Sequence, residues 1–126
     1  MLLNISNHPS VNWTKEQHDA AVLQYGGIGD QAFPHIAPDA TAEMVYQLAE
    51  QYATHIIHNI EYANTLDDSV KAVHLMGEMT FVFALVGLLQ KAGITVVCST
   101  TQRTVLEEKD GKKTAQFQFV QFRQYP

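Results

Sequence analysis

Three short polar stretches carry most of the side chains that could do chemistry. Ser6-Asn7-His8-Pro9-Ser10 offers two hydroxyls, an amide and an imidazole, a set able to donate to a phosphate or, through His8, to move a proton as general acid or base. Met76-Gly77-Glu78-Met79-Thr80 sets a glycine ahead of an apolar helical segment. A ligand can approach the backbone closely there, and the first amides of the helix supply partial positive charge. Glu78 would repel a bare phosphate and suits an acceptor for a ribose hydroxyl or a base amine. Ser99-Thr100-Thr101-Gln102-Arg103 adds hydroxyl donors and a guanidinium fork matched to phosphate.

Each stretch also has a plainer reading. Asn7-His8-Pro9 can simply shape a turn, with Asn7 or Ser10 capping backbone groups. Gly77 can be a tight strand-to-helix turn with Glu78 favourably placed in the first helical turn. Arg103 can pair with a neighbouring carboxylate at a polar strand end. Neither GxxxxGK[ST] nor GxGxxG occurs, so no Walker loop or dinucleotide fingerprint is present. His74 lies in an apolar run and reads as a core histidine. His55 and His58 are spaced to share a metal on a helix, but no partnering cluster has ligand spacing, so they read as a solvated face and no metal or cofactor is expected. The single cysteine, Cys98, sits in an apolar run and reads as a reduced core thiol. Trp13 has no evident role.

The elements that must position these residues follow from periodicity and punctuation. Met1 to Ser6 reads as a buried strand that empties into the first polar loop. Thr14 is a fitting helix N-cap with Gln17 three positions on, and Gly26 and Gly27 stop that helix. Residues 31–37 read as a weak strand or extended segment interrupted by Pro34. Val45, Leu48, Ala49, Tyr52, Ile56 and Ile60 give one apolar face to a helix over about 41–63. Val70 to Met76 reads as a buried strand, Thr80 to Ala92 as an apolar helix stopped by Gly93, and Ile94 to Cys98 as a β-branched strand that gives way at Ser99. A hairpin closes the chain: Thr104 to Lys109, the turn Asp110-Gly111, and Lys112 to Arg123, with Phe117 and Phe119 marking an aromatic stripe that suits a core or dimer interface. Lys109, Lys112 and Lys113 sit among Glu107, Glu108 and Asp110, so cross-strand pairing accounts for the tip.

Alternating strands and helices followed by a hairpin predict an α/β fold: one Rossmann-like domain over 1–126, three-layered, with a mainly parallel sheet, helices on both faces and a C-terminal antiparallel β-hairpin. In such sheets ligands bind beyond the carboxyl ends of the strands, where the three polar stretches are expected to converge. The 126 residues, 46% of them hydrophobic, suffice for one core. No apolar stretch is long enough for a bilayer span and no basic run precedes Met-Leu-Leu, so a cytoplasmic protein without a membrane partner is expected. The net charge of −5 is uneven, with Lys15 the only basic residue in 1–68 against nine acidic ones. That balance opposes wrapping of a long nucleic acid and leaves room for a small anionic ligand held by a few donors.

Through Leu3-Asn4-Ile5-Ser6-Asn7-His8-Pro9-Ser10, His74-Leu75-Met76-Gly77-Glu78-Met79-Thr80 and Ser99-Thr100-Thr101-Gln102-Arg103, the chain resembles small stand-alone CRISPR-associated proteins of the Rossmann-like CARF type. The resemblance covers nearly the whole length in element order and is specific in those three stretches. It implies a homodimer around a shared pocket that binds a cyclic oligoadenylate, sensing it or, as a ring nuclease, cleaving it without metal. By position it assigns Ser6, Asn7, Ser10, Met76, Gly77, Met79, Thr80, Ser99, Thr100 and Thr101 to ligand binding, and His8, Glu78 and Arg103 to catalysis. The three polar stretches contain no Lys, which departs from a polyanion pocket unless a dimer axis doubles Arg103. Two other readings stay open: a Rossmann-like module or enzyme for a mononucleotide or sugar phosphate, and a noncatalytic protein that dimerises through its hairpin.

Overall fold

The computed structural model describes residues 1–66 and 69–126. Among these, the chain runs β1 (Leu2–Ser6), α1 (Lys15–Tyr25), β2 (Ile28–Asp30), α2 (Ala42–Asn64), β3 (Ala72–Met76), α3 (Met79–Lys91), β4 (Val96–Glu107) and β5 (Lys113–Gln124). The strands form one mixed sheet in the spatial order β2-β1-β3-β4-β5, parallel through the first four and antiparallel at β5.

Side chains start the first two α-helices, Thr14 as the sequence leads one to expect. Thr14 Oγ1 accepts from the Gln17 amide at 3.3 Å, and Thr41 Oγ1 from the Met44 amide at 3.1 Å. Gly26 ends α1 in the left-handed region, at φ 87°, which a glycine adopts without steric cost. The long helix of 41–63 appears as Ala42–Asn64, burying Val45, Ala49, Ala53, Ile56 and Ile60 at three- and four-residue steps.

Three expectations need correction. The second strand occupies Ile28–Asp30, and residues 31–37 contain neither strand nor helix. Glycines hid it: Gly29 admits the Met1 side chain so closely that an added Cβ would lie 3.0 Å from its Cε. Ser99 to Arg103 is no loop, because β4 continues unbroken to Glu107 through eleven opposed pairs with β5, from Val97↔Gln124 to Glu107↔Lys113. The β-branched Thr100, Thr101, Thr104 and Val105 suit that extended ladder. Cys98 is half-buried rather than a core thiol.

Alternate residues of the strands enter two separate apolar clusters. Leu3, Ile5, Val73, Leu75 and Val96 pack with α2 and α3 around Phe81 and Leu85. Leu2, Ala72, Val97 and Phe122 pack with Ala20, Ala21 and Tyr25 of α1 and with Trp13. Because successive strand residues point to opposite sides, Asn4, Ser6, His74 and Met76 share the side of Leu2 and Ala72. The register of β4 and β5 shifts between Thr100 and Thr101, leaving Val120 without an opposite residue. The shift changes parity along β5, so Phe119 and Phe117 continue the face of Phe122.

Candidate functional site at the strand carboxyl ends

The carboxyl end of β1 is bound to that of β2 by one acidic side chain. Asp30 accepts from Asn4 Nδ2 at 2.8 Å, from the Ser10 amide at 3.0 Å and from the Ser10 hydroxyl at 2.5 Å. Partial burial works to raise its pKa, but the bonds from Ser10 Oγ, Asn4 Nδ2 and the Ser10 amide outweigh that and hold the carboxyl below its usual range. Asn4 is 1% exposed, and its second amide proton goes to the His8 carbonyl at 3.0 Å. With both protons used, its Oδ1 faces His74 Nδ1 at 2.8 Å, which places the imidazole proton on Nδ1. His74 Nε2 is then a lone pair, buried and without a partner among the described residues. Burial first, and the proximity of His8 second, lower the His74 pKa to about 4, so the ring is neutral near pH 7.

This network holds the first polar loop. The His8 carbonyl receives Asn4 Nδ2, Ser6 Oγ and Trp13 Nε1, each at 3.0 Å, while the Ser6 hydroxyl also accepts the His8 amide at 3.2 Å. Trp13, silent in the sequence, therefore clamps the loop, and its ring meets His74 edge-on at 5.1 Å. Ser6 is buried and Ser10 is committed to Asp30, so both spend their hydroxyls internally. Asn7 and His8 keep exposed side chains, while the Asn7 backbone N–H donates to the Met76 carbonyl at 3.3 Å.

The second stretch is also largely self-satisfied. Glu78 caps α3: its carboxylate accepts from Thr80 Oγ1 at 2.6 Å, from the Phe81 amide at 2.8 Å and from the Thr80 amide at 3.1 Å. Those bonds, the Thr80 hydroxyl foremost, lower its pKa. The helix amides expected to meet a phosphate are thus occupied by the chain's own carboxylate. Gly77 accommodates an intramolecular neighbour, since a Cβ there would fall 2.4–2.8 Å from three carbons of the Phe33 ring. Met79 is 79% exposed beside it.

The third stretch is divided. β3 and β4 are in register only at Val73↔Val96 and His74↔Val97, and past that point side chains replace the ladder. Met76 Sδ accepts from the Ser99 amide at 3.3 Å and the Ser99 hydroxyl at 3.0 Å, while the Tyr125 hydroxyl donates to the Leu75 carbonyl at 2.7 Å. Ser99 thereby belongs to the rim, and Thr100 Oγ1 donates back to the Gln121 carbonyl across the hairpin. Thr101 and Arg103 lie farther out on exposed strand, Arg103 opposite Phe117. Four residues of extended chain carry Arg103 roughly 13 Å past Ser99. Among the described residues no hydrogen bond or ion pair joins it to His8 or Glu78.

The cavity at this rim joins the first polar stretch, through Ser6, Asn7 and Pro9, to residues on the β2 side that the sequence did not single out. It measures about 570 Å³ between the ends of β1 and β2, walled by Asn4, Ser6, Asn7 and Pro9 on one side and Asp30, Gln31, Phe33 and His35 on the other. Asn4 had a visible signal, a polar residue inside an apolar strand; Asp30, at the end of a strand hidden by its glycines, had none, nor had Gln31 and His35. Among the described residues no group of three or more His, Cys, Asp or Glu side chains is placed to hold a metal, and no helix is long and apolar enough to cross a membrane.

Residues 1–123 match the family model described as Uncharacterized protein MJ1673 family. The chain belongs to that family. No curated protein and no solved structure matches it. The match spans β1 through most of β5, so rim, network and hairpin all fall within the family's length.

Proposed function

We propose that this MJ1673-family chain binds a cyclic oligoadenylate as a homodimer, one nucleoside unit of the ring entering the cavity at the carboxyl ends of β1 and β2. The observation that carries the reading is that cavity, about 570 Å³, with amide, carboxylate and imidazole groups on its walls at the strand ends of a parallel sheet. Its chemistry favours hydroxyl and base-edge recognition over phosphate: Asp30 Oδ2, which takes only the Ser10 hydroxyl, can accept once more, Asn7 and Gln31 can donate and accept, and His35 lies opposite. The reading takes the fold as three-layered and Rossmann-like, with α1 on one face of the sheet and α2 and α3 on the other, in keeping with the two apolar clusters.

In this proposal cleavage needs no metal. The ribose 2′-hydroxyl attacks the adjacent phosphorus, a new O2′–P bond forms as the P–O5′ bond breaks, and the products end in a 2′,3′-cyclic phosphate and a 5′-hydroxyl. Positioning supplies most of the acceleration. His8, whose backbone is clamped while its imidazole is exposed, takes the 2′-hydroxyl proton or returns one to O5′. Glu78 keeps its place as the cap that orients the Gly77 turn, and Arg103 reaches ligand only as part of a dimer.

The volume of a single cavity supports a second reading, a mononucleotide or sugar-phosphate ligand, because it fits one such unit without a partner. One experiment separates them. Purified protein is incubated in chelator with labelled cyclic tri-, tetra- and hexa-adenylate and with mononucleotides, and free, bound, cyclic and linear species are resolved. The expected result is retention of one ring size with linear product that His8→Ala abolishes while binding persists. Retention of mononucleotides alone would replace the first reading with the second, and no retention of any ring would end it.

A further inference from the structure

We propose that the outer edge of β5 pairs with the same edge of a second copy of this chain, antiparallel, joining two sheets into one. The inference rests on the proposed function only for the number of copies: the pairing edge lies at the opposite end of the sheet from β1 and β2, so it adds no residue to the cavity there. β5 is the terminal strand of the sheet, so its outer row of backbone N–H and C=O groups has no strand beside it. Twelve residues long, it carries no charge and no proline from Thr114 to Phe122, although charges, prolines and short length are the usual means of blunting an edge. The distal hairpin is moreover a ribbon of two strands, an arrangement of marginal stability in water, and its side chains stand open: Phe117 is 64% exposed and Val105 53%.

Charge and register select a second copy as the occupant. The neutral run is bracketed by Lys113 and Arg123, so a parallel copy in register would set Lys beside Lys and Arg beside Arg. The regular ladder runs from Lys113 to Phe119, where the shift at Val120 interrupts it, and its midpoint is Gln116. A twofold axis at Gln116 sets Phe117 beside the partner's Ala115 and diagonal to the partner's Phe117, and Lys113 beside the partner's Phe119. Every residue of the stretch then has a neutral or aromatic neighbour, and the surface complements itself, as a closed twofold dimer requires. Phe119 and Phe117 share the face of Phe122, so this pairing would carry the aromatic cluster around Trp13 toward the axis.

Light scattering on the full chain without ligand tests this apart from any nucleotide chemistry. Wild-type protein should run at twice its 14.1 kDa, and Phe117→Lys should halve that mass while keeping the circular dichroism of the folded chain. Phe83→Lys, on the exposed apolar face of α3, should stay dimeric. In a Cys98→Ser background, Gln116→Cys should cross-link to itself on mild oxidation, and Gln102→Cys on the inner strand should not. A monomeric wild type, a dimer lost through Phe83→Lys and kept in Phe117→Lys, or no cross-link through position 116 would each overturn the proposal. A ring-binding monomer would sink this pairing and leave the ligand reading standing, whereas a dimer that binds no ring would do the reverse.

Discussion

The rim of β1 and β2 and the arm of β4 and β5 solve opposite problems with similar residue types. At the rim, Asn4, Ser6, Ser10, Asp30 and Trp13 spend their polar atoms on one another and on the His8 carbonyl, so that a loop of five residues is held by side chains. On the arm, threonines and glutamines project from a backbone ladder that is itself the main tie, and few side chains touch anything beyond the opposite strand. Buried networks of the first kind give a single geometry and are costly when one member is lost. Ribbons of the second kind tolerate substitution one side chain at a time and keep their free groups for a partner.

The contrast breaks down unless stability is concentrated beneath the rim. Phe81, fully buried and met edge-on by Phe33 and Tyr52 at 5.3 and 5.4 Å, is the largest wholly buried side chain there. Phe81→Ala should cost about 3–5 kcal/mol in urea unfolding. A loss below about 1 kcal/mol would show that the core under α3 collapses around the gap and that the rim does not depend on it.

Next in size is the pH response of the network. His74 has its pKa lowered from 6.5 to about 4 in the folded chain, so between those values the unfolded state binds more protons. The stabilisation is full above pH 6.5 and is lost as pH falls toward 4, a change on the order of 3 kcal/mol. Asp30, also lowered, adds a loss in the same direction at still lower pH, below its ordinary 3.8. His74→Gln, whose amide can still donate to Asn4, should flatten the slope between pH 6.5 and 4. An unchanged slope would assign the acid response to other groups.

How much of this was legible in the sequence follows the same divide. Helices α1, α2 and α3 were readable because Thr14, Gly26, the spacing of Val45 to Ile60 and the stop at Gly93 act locally, within a turn or two. β2 was not, since a three-residue strand containing Gly29 owes its pairing to the neighbouring β1. The rim's key residue, Asp30, depends on a contact 26 positions away, and the partner of His74 lies 70 positions away. Ser99 to Arg103 misled in the other direction: polar residues that would end a buried strand continue happily in an exposed one, and nothing local marks that change of environment.

A smaller effect tests whether the Gly77 turn serves packing. Gly77→Ala should cost about 1–3 kcal/mol, because the Phe33 ring occupies the space of the new methyl group. Shrinking the ring should relieve the steric part of that cost, so in a Phe33→Ala background the same substitution should cost less, a coupling readable as a double-mutant cycle, with the remainder belonging to the backbone at φ 159°. Additive effects would mean that the glycine answers to the backbone or to a ligand, and would move the turn back among the binding elements.

The smallest effect belongs to the arm and is the sharpest test of the comparison. Leu106 lies on the ribbon face opposite Phe117, across from Thr114, and is 46% exposed. Truncating it removes little buried area, so Leu106→Ala should change unfolding free energy by no more than about 0.5 kcal/mol. The edge pairing contacts partner strands through the backbone and through the Phe117 face, so Leu106→Ala should also leave the dimer intact. A cost of 2 kcal/mol or more would mean that both ribbon faces are covered in the folded protein. The arm would then be a second core, buried by a partner on each side, and the division between a self-satisfied rim and an open arm would no longer describe this fold.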